Sequence, residues 1–106
     1  MKTDILDQLA ATIKQRKGAD PASSWTAKLL SQGVERCAKK FGEEAVEAVL
    51  AAVSGDKAHL TAEAADVIYH LMVLLEAGGV ELADVLEELA ARQHRSGIAE
   101  KASRES

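Results

Sequence analysis

Apolar residues recur at the 3.6-residue spacing of an α-helix in five stretches of the chain. Gly, Pro, Ser and Asp separate these stretches, and such residues commonly cap or end helices. The pattern predicts an all-α domain of about five helices. We expect them over 4–17, from a cap at Ser23 or Ser24 to about Gln32, over roughly 34–53, over about 57–77 with Asp56 as the N-cap, and over about 80–92. One domain then spans 1–92, and the polar tail over 93–106 is expected to be frayed or disordered.

The third and fourth predicted helices contain more apolar surface than a small monomer can cover. They are joined by a short turn at Gly55, which makes them antiparallel neighbours. Val46, Leu50 and Val53 lie off the main apolar stripe of the third helix, and residues 67–75 of the fourth are apolar nearly all round. A second copy of the chain would cover this surplus. We therefore expect a homodimer or higher homo-oligomer in which the antiparallel pair forms a four-helix-bundle-like core.

Composition excludes several classes of protein. Only 3% of the 106 residues are aromatic. The single cysteine, Cys37, excludes a disulfide framework within the chain and a cysteine-rich zinc site. The net charge of −4 disfavours a general nucleic-acid binder, which usually has a basic face. No apolar run approaches the ~18 residues of a membrane span, and the N-terminal residues lack the apolar stretch of a signal peptide. We expect a cytoplasmic protein with no membrane partner.

Two pairs of carboxylates are the most informative feature of the sequence. Glu44 and Glu47 on the third helix, and Glu63 and Asp66 on the fourth, are each spaced i,i+3 beside an apolar stripe. Antiparallel packing would bring all four together, where their repulsion calls for a cation. Oxygen ligands favour Mg²⁺ first and Mn²⁺ second, and Mg²⁺ commonly binds substrate phosphates as well. Paired acids on a solvated surface are the alternative explanation.

Basic and aromatic residues precede the acidic segment. Lys40 lies one turn before Glu44 and could either pair with it or reach a substrate phosphate. Lys28 and Lys39 belong to the same basic region and are candidate substrate-binding residues. Trp25 could line a nucleotide pocket, but packing is the interpretation that we favour. Exposed lysines on helices are mostly solvated, so a solvated basic face is the alternative to a binding role.

Three segments resemble a known family. They are SWTAKLL over 24–30, KKFGEEAVE over 39–47 and EAADVIYHL over 63–71. With them the chain resembles the phosphoribosyl-ATP pyrophosphohydrolases of histidine biosynthesis, within the MazG-like all-α nucleotide pyrophosphohydrolase superfamily. The resemblance implies hydrolysis of the α–β phosphoanhydride of phosphoribosyl-ATP to phosphoribosyl-AMP and pyrophosphate, the second step of the pathway.

The resemblance also implies roles for the acids. Glu44, Glu47, Glu63 and Asp66 match the Mg²⁺-binding acids of the family. A carboxylate not fully engaged with the metal, Glu44 or Glu47, could orient the attacking water or accept its proton. Two alternatives remain: a relative of the same fold that hydrolyses dUTP or non-canonical nucleoside triphosphates, and a non-catalytic dimeric helical module whose acids are exposed and mutually distant.

Overall fold

The structure is a computed structural model that describes residues 4–93. Expectations for the tail over 94–106 lie outside this range. The described residues contain five helices and no strand, which confirms the all-α prediction. The helices are α1 (Asp4–Arg16), α2 (Trp25–Ser31), α3 (Val34–Ser54), α4 (Lys57–Gly78) and α5 (Leu82–Arg92).

Helix caps explain three of these boundaries. The Ser24 hydroxyl accepts a hydrogen bond from the backbone N–H of Ala27 at 3.1 Å, which starts α2. The Asp56 carboxylate accepts from the N–H of His59 at 3.0 Å and starts α4. Gly55, at φ 81°, adopts the left-handed conformation that ends α3. Both caps that the sequence predicted at the starts of α2 and α4 are therefore present.

The end of α4 explains why α5 begins later than predicted. Gly79 has a φ of 76°, and its N–H bonds to the carbonyl of Glu76 at 3.2 Å. The N–H of Val80 reaches back to the carbonyl of Leu75 at 2.9 Å, completing a Schellman motif. Val80 is therefore part of the turn that ends α4, and α5 starts at Leu82, two residues later than the predicted start near residue 80.

The core lies at one end of the long α3–α4 pair. These two helices pack extensively against each other, and the short turn between them makes them antiparallel. The core residues come from the first four helices, and α1 and α2 also pack on α4. They are Ile13, Leu29, Cys37, Met72 and Val73. The expectation that Cys37 is a small buried hydrophobe is confirmed, since it is 2% exposed.

The half of α3 nearer the turn leaves an apolar stripe in solvent. Val46, Val49, Leu50 and Val53 are between 57% and 82% exposed. The prediction that apolar residues exceed what a monomer buries is confirmed for Val46, Leu50 and Val53 of α3, whereas among residues 67–75 of α4 only Ile68, at 45%, is exposed. Helix α5 is amphipathic and contributes no buried residue to the described part of the chain.

Helix α4 is long and apolar enough, by length and composition alone, to cross a membrane. The helix packs against α1, α2 and α3. It also places Glu63 and Asp66 in its first half, beside α3.

Candidate active site

Three of the four predicted acids meet where α3 packs on α4. Glu44 from α3 and Glu63 and Asp66 from α4 each place a carboxylate oxygen within 4.8 Å of the other two. At 1.5 Å per residue, Glu44 and Asp66 both lie about 16 Å from Gly55 along their helices. The antiparallel pairing therefore brings them to the same level. We call these three residues the acid triad.

Glu47 lies outside the acid triad. It is one turn nearer the Gly55 turn on α3, about 60° further round the helix, and its side chain is exposed. Its predicted roles as a metal ligand and as a catalytic carboxylate stay predictions. Glu43 points into solvent as well.

Two acids of the triad are largely covered by protein and each has a basic neighbour. The side chains of Glu44 and Glu63 are 16% and 17% exposed. Lys40 Nζ lies 3.3 Å from Glu44 Oε1, as its i,i+4 spacing allowed. His59 Nε2 lies 3.4 Å from Glu63 Oε1. No role was predicted for His59, although its i,i+4 spacing from Glu63 is a signal that the sequence contains.

The donor set of the triad fits a hard divalent cation. Mg²⁺ binds oxygens at 2.0–2.1 Å in an octahedron, so ligand oxygens around it are separated by about 3 to 4 Å. The separations in the triad, at most 4.8 Å, come close to this and need only small side-chain adjustments. All three side chains are carboxylates, which suit Mg²⁺ or Mn²⁺.

Trp25 faces two lysines beside the triad. The ring centroid lies 5.9 Å from Lys28 Nζ and 6.0 Å from Lys40 Nζ, within cation–π range. Trp25 is 49% exposed and is absent from the described core, so the favoured packing interpretation was wrong. Lys39 is exposed and makes no ion pair within residues 4–93, and its binding role stays a prediction.

His70 supports the backbone beneath the triad. It is 6% exposed, and its Nδ1 lies 2.7 Å from the carbonyl oxygen of Asp66. A carbonyl only accepts, so Nδ1 donates this hydrogen bond. Nε2 is buried and has no hydrogen-bond partner among the described residues. The ring also meets Tyr69 edge-on, with centroids 4.8 Å apart.

Comparisons with known proteins agree on one family. The family described as Phosphoribosyl-ATP pyrophosphohydrolase matches residues 6–93. A phosphoribosyl-ATP pyrophosphatase from Cereibacter sphaeroides is 64% identical over 100 residues, covering 94% of this chain and 97% of the relative. Proteins of the same name from Ruegeria pomeroyi and Dinoroseobacter shibae are each 66% identical over 100 residues, covering 94% of this chain and 95% and 98% of the relatives. All three acids of the triad lie within the matched residues.

Proposed function

This chain belongs to the phosphoribosyl-ATP pyrophosphohydrolase family, and we propose that it hydrolyses the α–β phosphoanhydride of phosphoribosyl-ATP. The products are phosphoribosyl-AMP and pyrophosphate, and the reaction belongs to histidine biosynthesis. The observation on which the proposal rests is the acid triad, built within the part of the chain that the family match covers. We also propose a cytoplasmic location, as expected for an enzyme of amino-acid biosynthesis.

We propose Mg²⁺ as the cofactor, with Mn²⁺ as a substitute. Glu44, Glu63 and Asp66 would hold it, and Glu47 is a further predicted ligand. When bound, the ion would neutralise phosphate oxygens and lower the pKa of a water molecule.

The protein groups around the triad have distinct tasks in this proposal. Lys40 and Lys28, both near the Trp25 ring, are placed to meet phosphate oxygens beside the triad. Glu44 contacts Lys40 and is itself part of the acid triad, whereas Glu47 is exposed and lies outside the triad. Glu47 is therefore the carboxylate that we favour to take the proton from the attacking water. The water oxygen forms the new P–O bond as the bridging oxygen leaves with the other product.

We further propose that the enzyme is a homodimer. The exposed apolar stripe on α3, formed by Val46, Val49, Leu50 and Val53, lies on the same helix as Glu44. A second copy would cover this stripe and complete a bundle around the α3–α4 pair. The non-catalytic alternative required distant, exposed acids. The grouping of Glu44 with Glu63 and Asp66 argues against it.

The decisive assay measures pyrophosphate release. Phosphoribosyl-ATP, ATP, dUTP and other nucleoside triphosphates are compared with Mg²⁺ and with a chelator. We expect turnover of phosphoribosyl-ATP that depends on Mg²⁺, and little turnover of the other substrates. A preference for dUTP would instead favour the relative of the same fold.

Variants test the triad in the same assay. Glu44→Gln and Glu63→Gln keep side-chain size but remove a charged ligand, so each should lower Mg²⁺-dependent turnover by about 100-fold or more. Glu43→Gln is the matched control, because Glu43 is adjacent, exposed and outside the triad. Folded triad variants with full turnover would contradict the metal site.

A further inference from the structure

Lys40 occupies a position between the acid triad and the Trp25 ring. We propose that its ammonium is an internal counter-ion that neutralises the triad before a divalent cation binds. It then turns to the phosphates of the substrate once the cation has displaced it. The inference rests on the proposed metal site. This exchange predicts an ordered binding sequence, in which the cation binds first and the anionic substrate second.

The contacts of Lys40 support the first half of this exchange. Its Nζ lies 3.3 Å from Glu44 Oε1, and both side chains are mostly covered, at 28% and 16% exposed. Glu44 is also one of the three residues whose oxygens converge within 4.8 Å. The ammonium therefore rests against a carboxylate that would also face the cation. Two positive charges a few ångströms apart at one partly covered carboxylate repel strongly, so lysine and cation compete.

The surroundings of Lys40 support the second half. The Trp25 ring centroid lies 6.0 Å from Lys40 Nζ, so the ring can keep the ammonium near the site after it leaves Glu44. Lys28 Nζ lies 5.9 Å from the same centroid. Release of Lys40 would leave two unpaired ammonium groups around one half-exposed ring. Two such groups beside a bound divalent cation favour a polyphosphate.

The first measurement is the Mn²⁺ affinity of the full chain without substrate. It is obtained from the electron paramagnetic resonance signal of free Mn²⁺. Lys40→Gln removes the competitor, so we expect it to bind Mn²⁺ about threefold more tightly than the wild type. Lys40→Arg retains the charge and should restore an affinity close to that of the wild type. Lys57→Gln is the control for net charge, because Lys57 is an exposed α4 lysine with no ion pair among the described residues.

The second measurement is the affinity for inorganic pyrophosphate at saturating Mn²⁺, by calorimetry. Lys40→Gln should bind pyrophosphate roughly tenfold more weakly than the wild type, because one charge-assisted contact is lost. The control Lys57→Gln should match the wild type. A variant that gains Mn²⁺ affinity and loses pyrophosphate affinity is the signature of exchange, since a purely structural role would not move the two in opposite directions.

The outcomes separate this inference from the proposed function. Unchanged or weaker Mn²⁺ binding by folded Lys40→Gln, alongside normal binding by the wild type, overturns the exchange and leaves the metal site intact. Unchanged pyrophosphate affinity in that variant also overturns it. Wild-type protein that binds no Mn²⁺ overturns both proposals together.

Discussion

The hydroxyls of Tyr69 on α4 and Thr26 on α2 lie within hydrogen-bonding distance of each other, although the residues are 43 apart in sequence. Thr26 follows Trp25 directly, and Tyr69 precedes His70, whose ring supports the backbone of Asp66. The contact therefore joins the segment that holds the indole ring to the helix that holds two acids of the triad. It fixes α2 beside the site.

Removal of this hydrogen bond should lower stability. Tyr69→Phe deletes one hydroxyl from a partly buried pair, so the free energy of unfolding should fall by about 1 kcal/mol, measured by urea denaturation. Thr26→Val should cost a similar amount. The double variant should cost less than the sum of the two single variants, because the pair is already broken by either change. Strictly additive losses would show that the hydroxyls do not interact.

Mg²⁺ should stabilise the folded protein. A ligand that binds only the folded state adds about 2.7 kcal/mol at a concentration 100 times its dissociation constant. The midpoint of thermal unfolding should therefore rise with Mg²⁺ concentration in the wild type, and rise much less in Asp66→Asn. An equal shift in both proteins would place the bound ion elsewhere.

The cap of α4 should be worth about 1 kcal/mol. Asp56→Ala removes the carboxylate that accepts the His59 N–H, so the free energy of unfolding should fall by about that amount. Asp56→Asn retains the acceptor oxygen and is the matched control. If the two variants lost equal stability, the charge of Asp56 rather than its hydrogen bond would be the cause.

Lys14 should make stability depend on alkaline pH. Hydrogen bonds to Glu81 first, and then to Glu76, raise the pKa of Lys14 above its ordinary 10.5. Because the folded pKa is raised, the contribution of Lys14 is fully present below pH 10.5 and is lost as the pH rises through the folded value. The stability difference between the wild type and Lys14→Met should therefore be constant near pH 8 and shrink above pH 10.5. A difference that stays constant across this range would contradict the linkage.

The exposed stripe on α3 should control association. Val53 is 82% exposed, so Val53→Glu should leave the protomer folded while placing a charge in the proposed interface. We expect light scattering after size exclusion to show a dimer for the wild type and a monomer for this variant. Gln15→Glu, an exposed change of equal charge on α1, should remain dimeric. A wild-type monomer would refute the dimer.

Local features were predictable from the sequence because neighbours in the chain determine them. The caps at Ser24 and Asp56, and the i,i+4 contact of Lys40 with Glu44, depend on residues within one helical turn. The meeting of Glu44 with Glu63 and Asp66 followed from the antiparallel pairing. The position of Glu47 outside the triad did not, because a 60° difference around a helix decides whether a side chain faces its neighbour or the solvent. The exposure of Trp25 depends on how α2 packs, which periodicity does not specify.

The Gly55–Asp56 connection has a consequence for how such a site can change. Its length sets which residues of α3 stand level with which residues of α4, and each residue of slip along a helix moves a side chain by about 1.5 Å and 100°. Glu44 faces Glu63 and Asp66 in this register. An insertion here that shifted the pairing by one residue would keep every acid in the chain and still disperse the triad. Loop length at this position is therefore as much a determinant of chemistry as the acids themselves.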